Sequence, residues 1–291
     1  MHGSDAEVDL RARYARDGYV VVPGLIPTED LTDALVAIDR LLAMKCPAFR
    51  QSDPQQVAEE IHAKLLTLAR EDRAALGVVY DAIRKVLPFW TILGAKCMST
   101  VVRQLLGTDS VGLAFRGSGI RLDLPNEDRW RSTWHQEYHS QVSSPTAVVA
   151  WFSLVPVSQS MGPVELAEGS HREGILPVRA IDPFNRGRDY TQTFEIPEVE
   201  GIASRYPQRA FETRPGDVVF IDFRTLHQSG VNRSSDRSRV TCQARYFDMA
   251  DPTSVRHGWV GGWQDGHDFT RLHPELCIPD YEKLLPQGAS R

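Results

Sequence analysis

The spacing of apolar residues changes after Thr108, and this change restricts the fold more than any other feature of the sequence. Before it, apolar side chains recur every three or four positions, which is the period of an amphipathic helix. After it, short runs that alternate apolar and polar residues are separated by Gly, Pro, Asn and Asp, which is typical of antiparallel strands in a sandwich or barrel. The sequence therefore predicts an N-terminal helical part followed by a β-rich part.

The individual elements follow from the same two periods. One helix is predicted to begin at Thr28, which we expect to be its N-cap because acidic residues fill the first turn. Further helices are predicted at Leu10–Asp17, Gln55–Leu68, Arg73–Val86 and Ile92–Leu106. The predicted strands are Tyr19–Val22, Val111–Arg116, Gly119–Leu124, Trp134–Tyr138, Thr146–Pro156, Gly162–Leu166, Phe211–Arg214, Asp217–Asp222 and Arg239–Phe247.

A single domain over residues 1–291 accounts for this order, since β-sandwiches and barrels of such length are common. We expect a mostly helical flank at 1–107, the β core at 108–250 and a C-terminal tail at 251–291. The stretch Pro177–Pro207 is long and irregular, and such loops are often functional. We expect this loop and the tail, which is rich in Trp and His, to lie over the active site.

Composition excludes several classes of function. The formal net charge is −5 and the basic residues are scattered, which does not fit a nucleic-acid-binding surface. The longest apolar stretch, Ala147–Val157, is too short to span a bilayer, and no secretory signal is recognisable. Cys46, Cys97, Cys242 and Cys277 fit neither a zinc site nor a disulfide framework. We therefore expect a cytoplasmic protein with reduced thiols; nothing predicts its oligomeric state.

The segment Trp134–Tyr138 contains the first candidate metal ligands. On an extended strand, residues two apart point to the same side, so His135 and Glu137 would present an imidazole and a carboxylate to one space. Taken alone, this pair is a weak signal, because a histidine two residues from an acid also occurs on ordinary solvated strands.

A second histidine strengthens the signal. A Pro-Gly-Asp turn precedes an apolar strand whose odd positions run from Val219 to His227, which places His227 at the end of that face. A lone histidine there is more often a packed core or rim residue than a ligand. Two histidines and one acid, however, form the facial triad of non-haem iron(II) oxygenases, which leaves positions open for cosubstrate and dioxygen.

A cation follows the second histidine. Arg239 opens the next strand after a polar turn, and its planar guanidinium is suited to gripping a carboxylate with two hydrogen bonds. A lone arginine is more often a rim ion-pair residue, but a dicarboxylate bound to iron would present its far carboxylate here. Asp123 is the rival metal-binding carboxylate, although no histidine lies two residues from it.

These fragments together resemble the phytanoyl-CoA dioxygenase family of 2-oxoglutarate oxygenases. The resemblance covers most of the chain and rests on segments that occur in the family's order. They are Arg16–Leu25, Trp134–Glu137, Val149–Trp151, Gly162–His171, Pro215–Val218 and His227–Ser234.

The resemblance implies a mainly β fold, a double-stranded β-helix or jelly-roll related to cupins, with an N-terminal helical layer. It implies that His135, Glu137 and His227 bind Fe(II), and that 2-oxoglutarate and O2 are cosubstrates. Arg239 becomes the clamp for the far carboxylate of 2-oxoglutarate. Trp151 matches a position that lines the cosubstrate site, and so does Ser229.

The sequence departs from the family pattern at two places. The acid is usually aspartate in the family, and here it is Glu137; its presence argues against halogenation, because halogenases replace this acid with a small residue. The arginine is displaced by one residue, apparently through the extra serine of Ser234–Ser235, which leaves Arg237 as a weaker candidate clamp. His171, in a Gly-Ser-His turn, is expected to be structural.

The predicted activity is hydroxylation of an unactivated C–H bond in a small metabolite or natural-product intermediate, with succinate and CO2 as coproducts. Desaturation, cyclisation and epimerisation stay open, because they use the same ligands. Two alternatives are a cupin-like metal enzyme that does not use 2-oxoglutarate and a non-catalytic jelly-roll that binds a small molecule. Arg121, Tyr138 and His139 are candidate substrate contacts, although ordinary rim residues would explain them equally well.

Overall fold

A computed structural model of the chain describes residues 4–128, 131–180, 194–260 and 267–278. The helices are α1 Ser4–Asp17, α2 Thr28–Lys45, α3 Val57–Glu71, α4 Arg73–Ile83, α5 Leu87–Gly94, α6 Lys96–Leu106, α7 Val199–Ala203, α8 Pro252–His257 and α9 His267–Leu272. The strands are β1 Tyr19–Val22, β2 Val111–Leu113, β3 Gly119–Asp123, β4 Ala147–Ser153, β5 Val164–Ala167, β6 Arg179–Ala180, β7 Phe194–Glu195, β8 Gln208–Ala210, β9 Val218–Asp222, β10 His227–Ser229 and β11 Arg239–Asp248.

The N-terminal part is helical, as its apolar period predicts. Two details differ. The predicted helix Ile92–Leu106 is interrupted at Ala95, whose extended backbone (φ −63°, ψ 146°) separates α5 from α6. Thr28 is the first residue of α2 rather than its N-cap; Pro27 caps the helix without a side-chain hydrogen bond, so the prediction for Thr28 is wrong.

The largest sheet has six strands in the order β1-β9-β4-β11-β2, with β3 also paired to β11, and all its pairs are antiparallel. The two faces of its strands differ. On β11, Val240, Cys242, Ala244 and Tyr246 are buried, and the Tyr246 hydroxyl donates a hydrogen bond to the carbonyl of Leu93 in α5. The helices α5 and α6 therefore cover this face, while the polar residues of β11 occupy the other.

A second sheet of three strands has the order β10-β5-β8, and β6 pairs with β7. The predicted strand Phe211–Arg214 is reduced to one bridge between Thr213 and Val157. The predicted continuation of the strand after Asp217 as far as His227 is also wrong. β9 ends at Asp222, a turn follows, and His227 begins β10 in the second sheet.

Gly18 joins the helical layer to the turn that precedes β10. Gly18 directly follows the last residue of α1 and has a φ of +79°, a backbone conformation that glycine adopts without strain. Its carbonyl accepts hydrogen bonds from the backbone N–H of Asp222 and the Thr225 hydroxyl, at 2.9 and 2.8 Å. The Asp-Gly motif of the N-terminal segment thereby anchors the chain two residues before His227.

The structure is a mixture of helices and antiparallel sheet, and the helices contain more of the described residues than the strands do. The four cysteines are free. Among the described residues, none of the helices has both the length and the apolar character that crossing a membrane requires. Residues 181–193 of the predicted lid loop, and 261–266 and 279–291 of the tail, lie outside the described residues.

Candidate metal centre and active site

His135 and His227 lie opposite each other across a short antiparallel bridge. The backbone N–H of each donates to the carbonyl of the other, at 3.0 and 3.1 Å. Directly opposed residues on such a ladder project to the same face. The two imidazoles accordingly have ring centroids 4.2 Å apart.

Glu137 reaches the same space by a different local structure from the one that the sequence predicts. Trp134–Tyr138 is not a strand: only His135 bridges, and Glu137–His139 forms one turn of 3-10 helix. The turn still directs the carboxylate towards the histidines, with Glu137 Oε2 at 3.6 Å from His227 Nε2. One ligand atom from each of the three residues lies within 4.8 Å of the other two.

The hydrogen bonds of the imidazoles leave their Nε2 atoms for a metal. His135 Nδ1 lies 2.7 Å from the Thr133 carbonyl, and His227 Nδ1 lies 2.9 Å from the Thr225 carbonyl. A carbonyl can only accept, so each Nδ1 carries a proton, and in the neutral imidazole this leaves the lone pair on Nε2 for a metal. Burial, together with neighbouring His227, lowers the pKa of His135 to about 3, so protons do not compete with a metal there near neutral pH.

The Glu137 carboxylate is held by Arg245. Arg245 Nε lies 3.0 Å from Oε1 and Nη2 lies 3.2 Å from Oε2, while the Ser140 hydroxyl lies 3.3 Å from Oε1. Burial alone would raise the pKa of Glu137, but the Arg245 guanidinium and the two histidines hold it well below its usual range. The carboxylate is therefore ionised, as a metal ligand must be.

This donor set fits ferrous iron. Two neutral imidazoles and one carboxylate on one side of an ion leave coordination positions open on the other side, whereas a structural zinc site closes all four. Over the ranges that the structure describes, no second group of three such side chains comes together. A cavity of about 610 Å³ adjoins the three residues and is lined by both sheets and by α4.

Arg239 lies at the start of β11 in a buried ionic group. It is 3% exposed, and its Nη2 lies 3.1 Å from Asp123 Oδ2. Its Nη1 also reaches the carbonyls of Met161 and Gly230 at 3.4 and 3.3 Å. Asp123 pairs in addition with Arg121 at 2.9 Å, so the rival carboxylate binds two arginines instead of joining the metal triad.

The model of the family described as Phytanoyl-CoA dioxygenase (PhyH) matches residues 14–241 of this chain. The chain belongs to the phytanoyl-CoA dioxygenase family. As the resemblance implied, it is a 2-oxoglutarate-dependent non-haem iron dioxygenase, with Fe(II) as cofactor and 2-oxoglutarate and O2 as cosubstrates.

Individual relatives agree with this assignment. An ectoine dioxygenase from Nocardia farcinica (strain IFM 10152) is 26% identical over 235 residues, covering 75% of this chain and 70% of the relative. The structure of SnoN, a non-haem α-ketoglutarate-dependent epimerase of nogalamycin biosynthesis, matches with a TM-score of 0.55 and 20% identity, over 87% of this chain and 88% of that one. EctD from S. alaskensis matches with a TM-score of 0.52 and 20% identity, over 86% and 80%. At these identities the structural matches show a shared fold.

Of the residues predicted to contact cosubstrate or substrate, some line the cavity and others do not. Trp151, Ser229, Arg121 and His139 line the cavity of this dioxygenase. Arg239 is not among the residues that line it. Tyr138, expected near substrate, is fully buried away from the cavity wall, and its hydroxyl lies 2.9 Å from His273 Nε2.

His171 has the structural place that its Gly-Ser-His turn predicts. Its Nε2 lies 3.0 Å from the Ala15 carbonyl at the end of α1, and its ring packs against Gly18. It takes no part in the metal group.

Two contributors to the site were missed. Arg245 lies on the same face of β11 as Arg239, and alternation along the strand indicates this position, but only the contact between β11 and the Glu137 turn in the folded chain identifies Glu137 as its partner. The second is the face of α4 that lines the cavity, which includes Leu76, Tyr80 and Arg84. Their spacing of four residues marks one helical stripe, which the sequence did not distinguish from an ordinary surface.

Proposed function

We propose that this dioxygenase hydroxylates an unactivated C–H bond of a small metabolite or natural-product intermediate and releases succinate and CO2. The observation that carries the proposal is the group His135, Glu137 and His227, whose ligand atoms lie within 4.8 Å of one another beside a cavity. These three residues would hold the iron. Family membership favours this proposal over a cupin-like enzyme without 2-oxoglutarate and over a non-catalytic binding protein.

Iron(II), when bound with 2-oxoglutarate and O2, supplies the oxidising power that a C–H bond requires. The chain's own residues position the reactants. The backbone bridge fixes the two imidazoles relative to each other, and the carbonyls of Thr133 and Thr225 fix their orientation. Apolar side chains of the large sheet, including Trp151 and Ile221, line the cavity and limit access of water to it.

Arg239 is the proposed clamp for the far carboxylate of 2-oxoglutarate, with Trp151 and Ser229 lining the cosubstrate site. Its charge environment supports this role. Asp123 pairs with both Arg239 and Arg121, so Arg239 shares its carboxylate partner with a second arginine. The far carboxylate of 2-oxoglutarate would give the buried Arg239 a second partner, and buried charges are costly unless they are paired. The pKa of Asp123 supports the ionised form, since both arginines lower it against the effect of burial.

We propose that the two sheets form a double-stranded β-helix related to cupins, within one domain spanning 1–291. In this division 1–107 is the helical flank, 108–250 the core and 251–291 a tail over the active site. The structural matches to iron oxygenases support it. The proposal also includes a cytoplasmic location, a small-molecule substrate, and no nucleic-acid or membrane partner.

The substrate contacts proposed from the sequence are Arg121, His139 and Tyr138. The cavity wall supports the first two. The matched structures include an epimerase and an enzyme bound to 5-hydroxyectoine, and the former indicates that the outcome of the reaction can differ within this fold. Hydroxylation remains the outcome proposed for this chain.

The test is anaerobic reconstitution with Fe(II) followed by a screen of 2-oxoglutarate turnover against metabolite pools. The wild-type chain should bind one iron and form succinate when a pool contains its substrate. His135→Ala should lose both iron and turnover, whereas His171→Gln, which changes a histidine outside the metal group, should keep its iron. Failure of the wild-type chain to bind iron, or equal turnover by His135→Ala, would refute the proposal.

The role of Arg239 as the clamp is tested by comparing substitutions of Arg239 and Arg237. Arg239→Gln should weaken 2-oxoglutarate binding by about tenfold or more, since hydrogen bonds to charged groups contribute about 1.5–3 kcal/mol. Arg237→Gln is the control, because Arg237 is exposed and pairs with Glu59 instead. Binding can be followed by titrating 2-oxoglutarate into the iron-loaded protein anaerobically. Equal effects of the two substitutions would contradict the assignment.

A further inference from the structure

The helix α4 forms one wall of the cavity, and it lies outside the segments that resemble the family. Leu76, Tyr80 and Arg84 lie four residues apart, on one stripe of the helix and the residue that follows it, and all three line the cavity. The adjacent stripe, with Ala75, Val79 and Ile83, is buried in the core, and Leu76 is buried at the boundary between the two stripes. The packing of that apolar stripe fixes which side chains α4 presents to the cavity.

Arg84, the residue that ends α4, extends over the edge of the large sheet at Gly119. A Cβ atom at Gly119 would lie 3.0 Å from Arg84 Nε, so the absence of a side chain there leaves room for the guanidinium. Gly119 is paired with Gln243, which is paired on its other side with Trp151. Two residues further along that strand, Arg245 holds the metal-binding carboxylate. Arg84 therefore lies on the same side of the sheet as the metal site.

The cavity wall carries more positive than negative groups among the described residues. Its guanidinium groups belong to Arg73, Arg84, Arg116, Arg121 and Arg245. Its carboxylates belong to Asp81, Glu127 and Glu137. A bound ferrous ion would add further positive charge.

Three of these arginines already have carboxylate partners. Arg73 pairs with Glu127 at 2.6 Å, Arg121 with Asp123, and Arg245 with Glu137. Within the described residues, Arg84 and Arg116 form no ion pair. Arg116 is exposed, whereas Arg84 is half-buried and its Nη2 contacts the neutral carbonyl of Arg116 at 3.4 Å. A half-buried guanidinium on the same helical stripe as Leu76 and Tyr80 is well suited to receive a carboxylate from a ligand with an apolar body.

We propose that the substrate is a small molecule with an apolar body and a carboxylate group, and that Arg84 binds that carboxylate. This inference rests on the proposed function, because it names the substrate class of the same site. Leu76, Tyr80 and Trp151 supply the apolar contacts. The carboxylate pairs with Arg84 at the α4 wall, which directs the remainder of the molecule towards the metal ligands. Arg84 thus determines specificity and orientation, while Arg239 is left to the cosubstrate.

The test compares two probes that differ in charge, 2-naphthoate and 2-naphthamide. Their binding is measured by calorimetry to protein loaded with Zn(II) and 2-oxoglutarate, so that the cosubstrate site is filled and no turnover occurs. The wild-type chain should bind naphthoate more tightly than naphthamide. Arg84→Met should weaken naphthoate binding by about tenfold or more and leave naphthamide binding unchanged, because it removes the charge and keeps an apolar side chain. Arg84→Lys should restore part of the preference.

Arg73→Met is the matched control, since Arg73 lines the same wall but is already paired with Glu127. Its naphthoate preference should equal that of the wild-type chain. Three results would overturn the inference: no preference for naphthoate in the wild-type chain, equal losses in the two methionine variants, or an equal loss of 2-oxoglutarate affinity in Arg84→Met, which would assign Arg84 to the cosubstrate.

Failure of the proposed function is separable from failure of this inference. The same titrations on metal-free protein report the charge preference of the cavity without any metal or cosubstrate. A chain that keeps the Arg84-dependent preference but forms no succinate would refute the oxygenase activity alone. A chain that forms succinate but shows no dependence on Arg84 would refute the carboxylate site alone.

Discussion

Replacement of Arg245 by methionine tests how Glu137, the proposed metal-binding carboxylate, is kept charged in the folded protein. Arg245 donates to both oxygens of Glu137, at 3.0 and 3.2 Å, and Glu137 is only 2% exposed. Arg245→Met would leave a buried carboxylate without its cation. Breaking a buried pair in this way costs about 3–5 kcal/mol, so we expect the metal-free protein to lose that much of its free energy of unfolding.

The loss should be smaller when the metal site is filled. A divalent ion bound by Glu137 takes over the neutralisation of the carboxylate, and the substitution also removes a positive charge from the neighbourhood of that ion. If the metal halves the destabilisation, the difference of about 2 kcal/mol corresponds to roughly 30-fold tighter metal binding by the variant. Stabilisation by the metal should therefore increase in Arg245→Met.

The assay is urea unfolding of the wild-type chain and Arg245→Met, each with a chelator and with saturating Co(II). Arg209→Met serves as the control, because Arg209 pairs with Glu168 at the surface, where an ion pair contributes little. We expect a small and equal change for that variant in both conditions. If Arg245→Met destabilised the metal-free and metal-loaded forms equally, or neither, Arg245 would not be the group that neutralises the ligand carboxylate.

Three further predictions follow from individual contacts. Gly18→Ala should cost about 3 kcal/mol in thermal or urea unfolding, because its Cβ would lie 2.4 Å from His171 Nδ1 at a positive φ of +79°; a change below 1 kcal/mol would contradict the close packing. Burial lowers the pKa of His62, and its Nδ1 accepts a hydrogen bond from the Ser238 N–H at 3.1 Å. Because the unfolded chain therefore binds a proton at a higher pH than the folded one, the free energy of unfolding should fall as the pH drops below 6.5. The free energy of unfolding, measured at pH 7.5 and 5.5, should depend less on pH in His62→Gln than in the wild-type chain. An equal pH dependence in the two proteins would show that His62 is not the responsible group. Asp123→Asn should lower the free energy of unfolding by about 3–5 kcal/mol, since Arg121 and Arg239 both lose their carboxylate partner. Saturating 2-oxoglutarate should restore part of this stability. No restoration would count against Arg239 as the clamp.

The helical layer and the three residues that come together as a candidate metal site could be inferred from sequence because their signals are local. Apolar periodicity is set by neighbours within a few positions, and a histidine, an acid and a later histidine can be recognised without knowing their separation in space. The local structure predicted for these residues was nevertheless partly wrong. Glu137 lies on a 3-10 turn rather than a strand, and His227 begins a strand of the second sheet.

Tertiary structure alone decided which charges meet. The pairing of His135 with His227 depends on a bridge between segments distant in the chain, and the pairing of Arg245 with Glu137 depends on the way that β11 and a turn are brought together. Arg239 and Asp123 meet because they are opposite each other in the register of β11 and β3. A shift of one residue in such a register would turn every side chain to the other face, and the register is determined by packing of the whole sheet. For this reason the sequence indicated the proposed metal ligands of this dioxygenase, while the partners of its arginines and the α4 wall of its cavity became visible only in the folded chain.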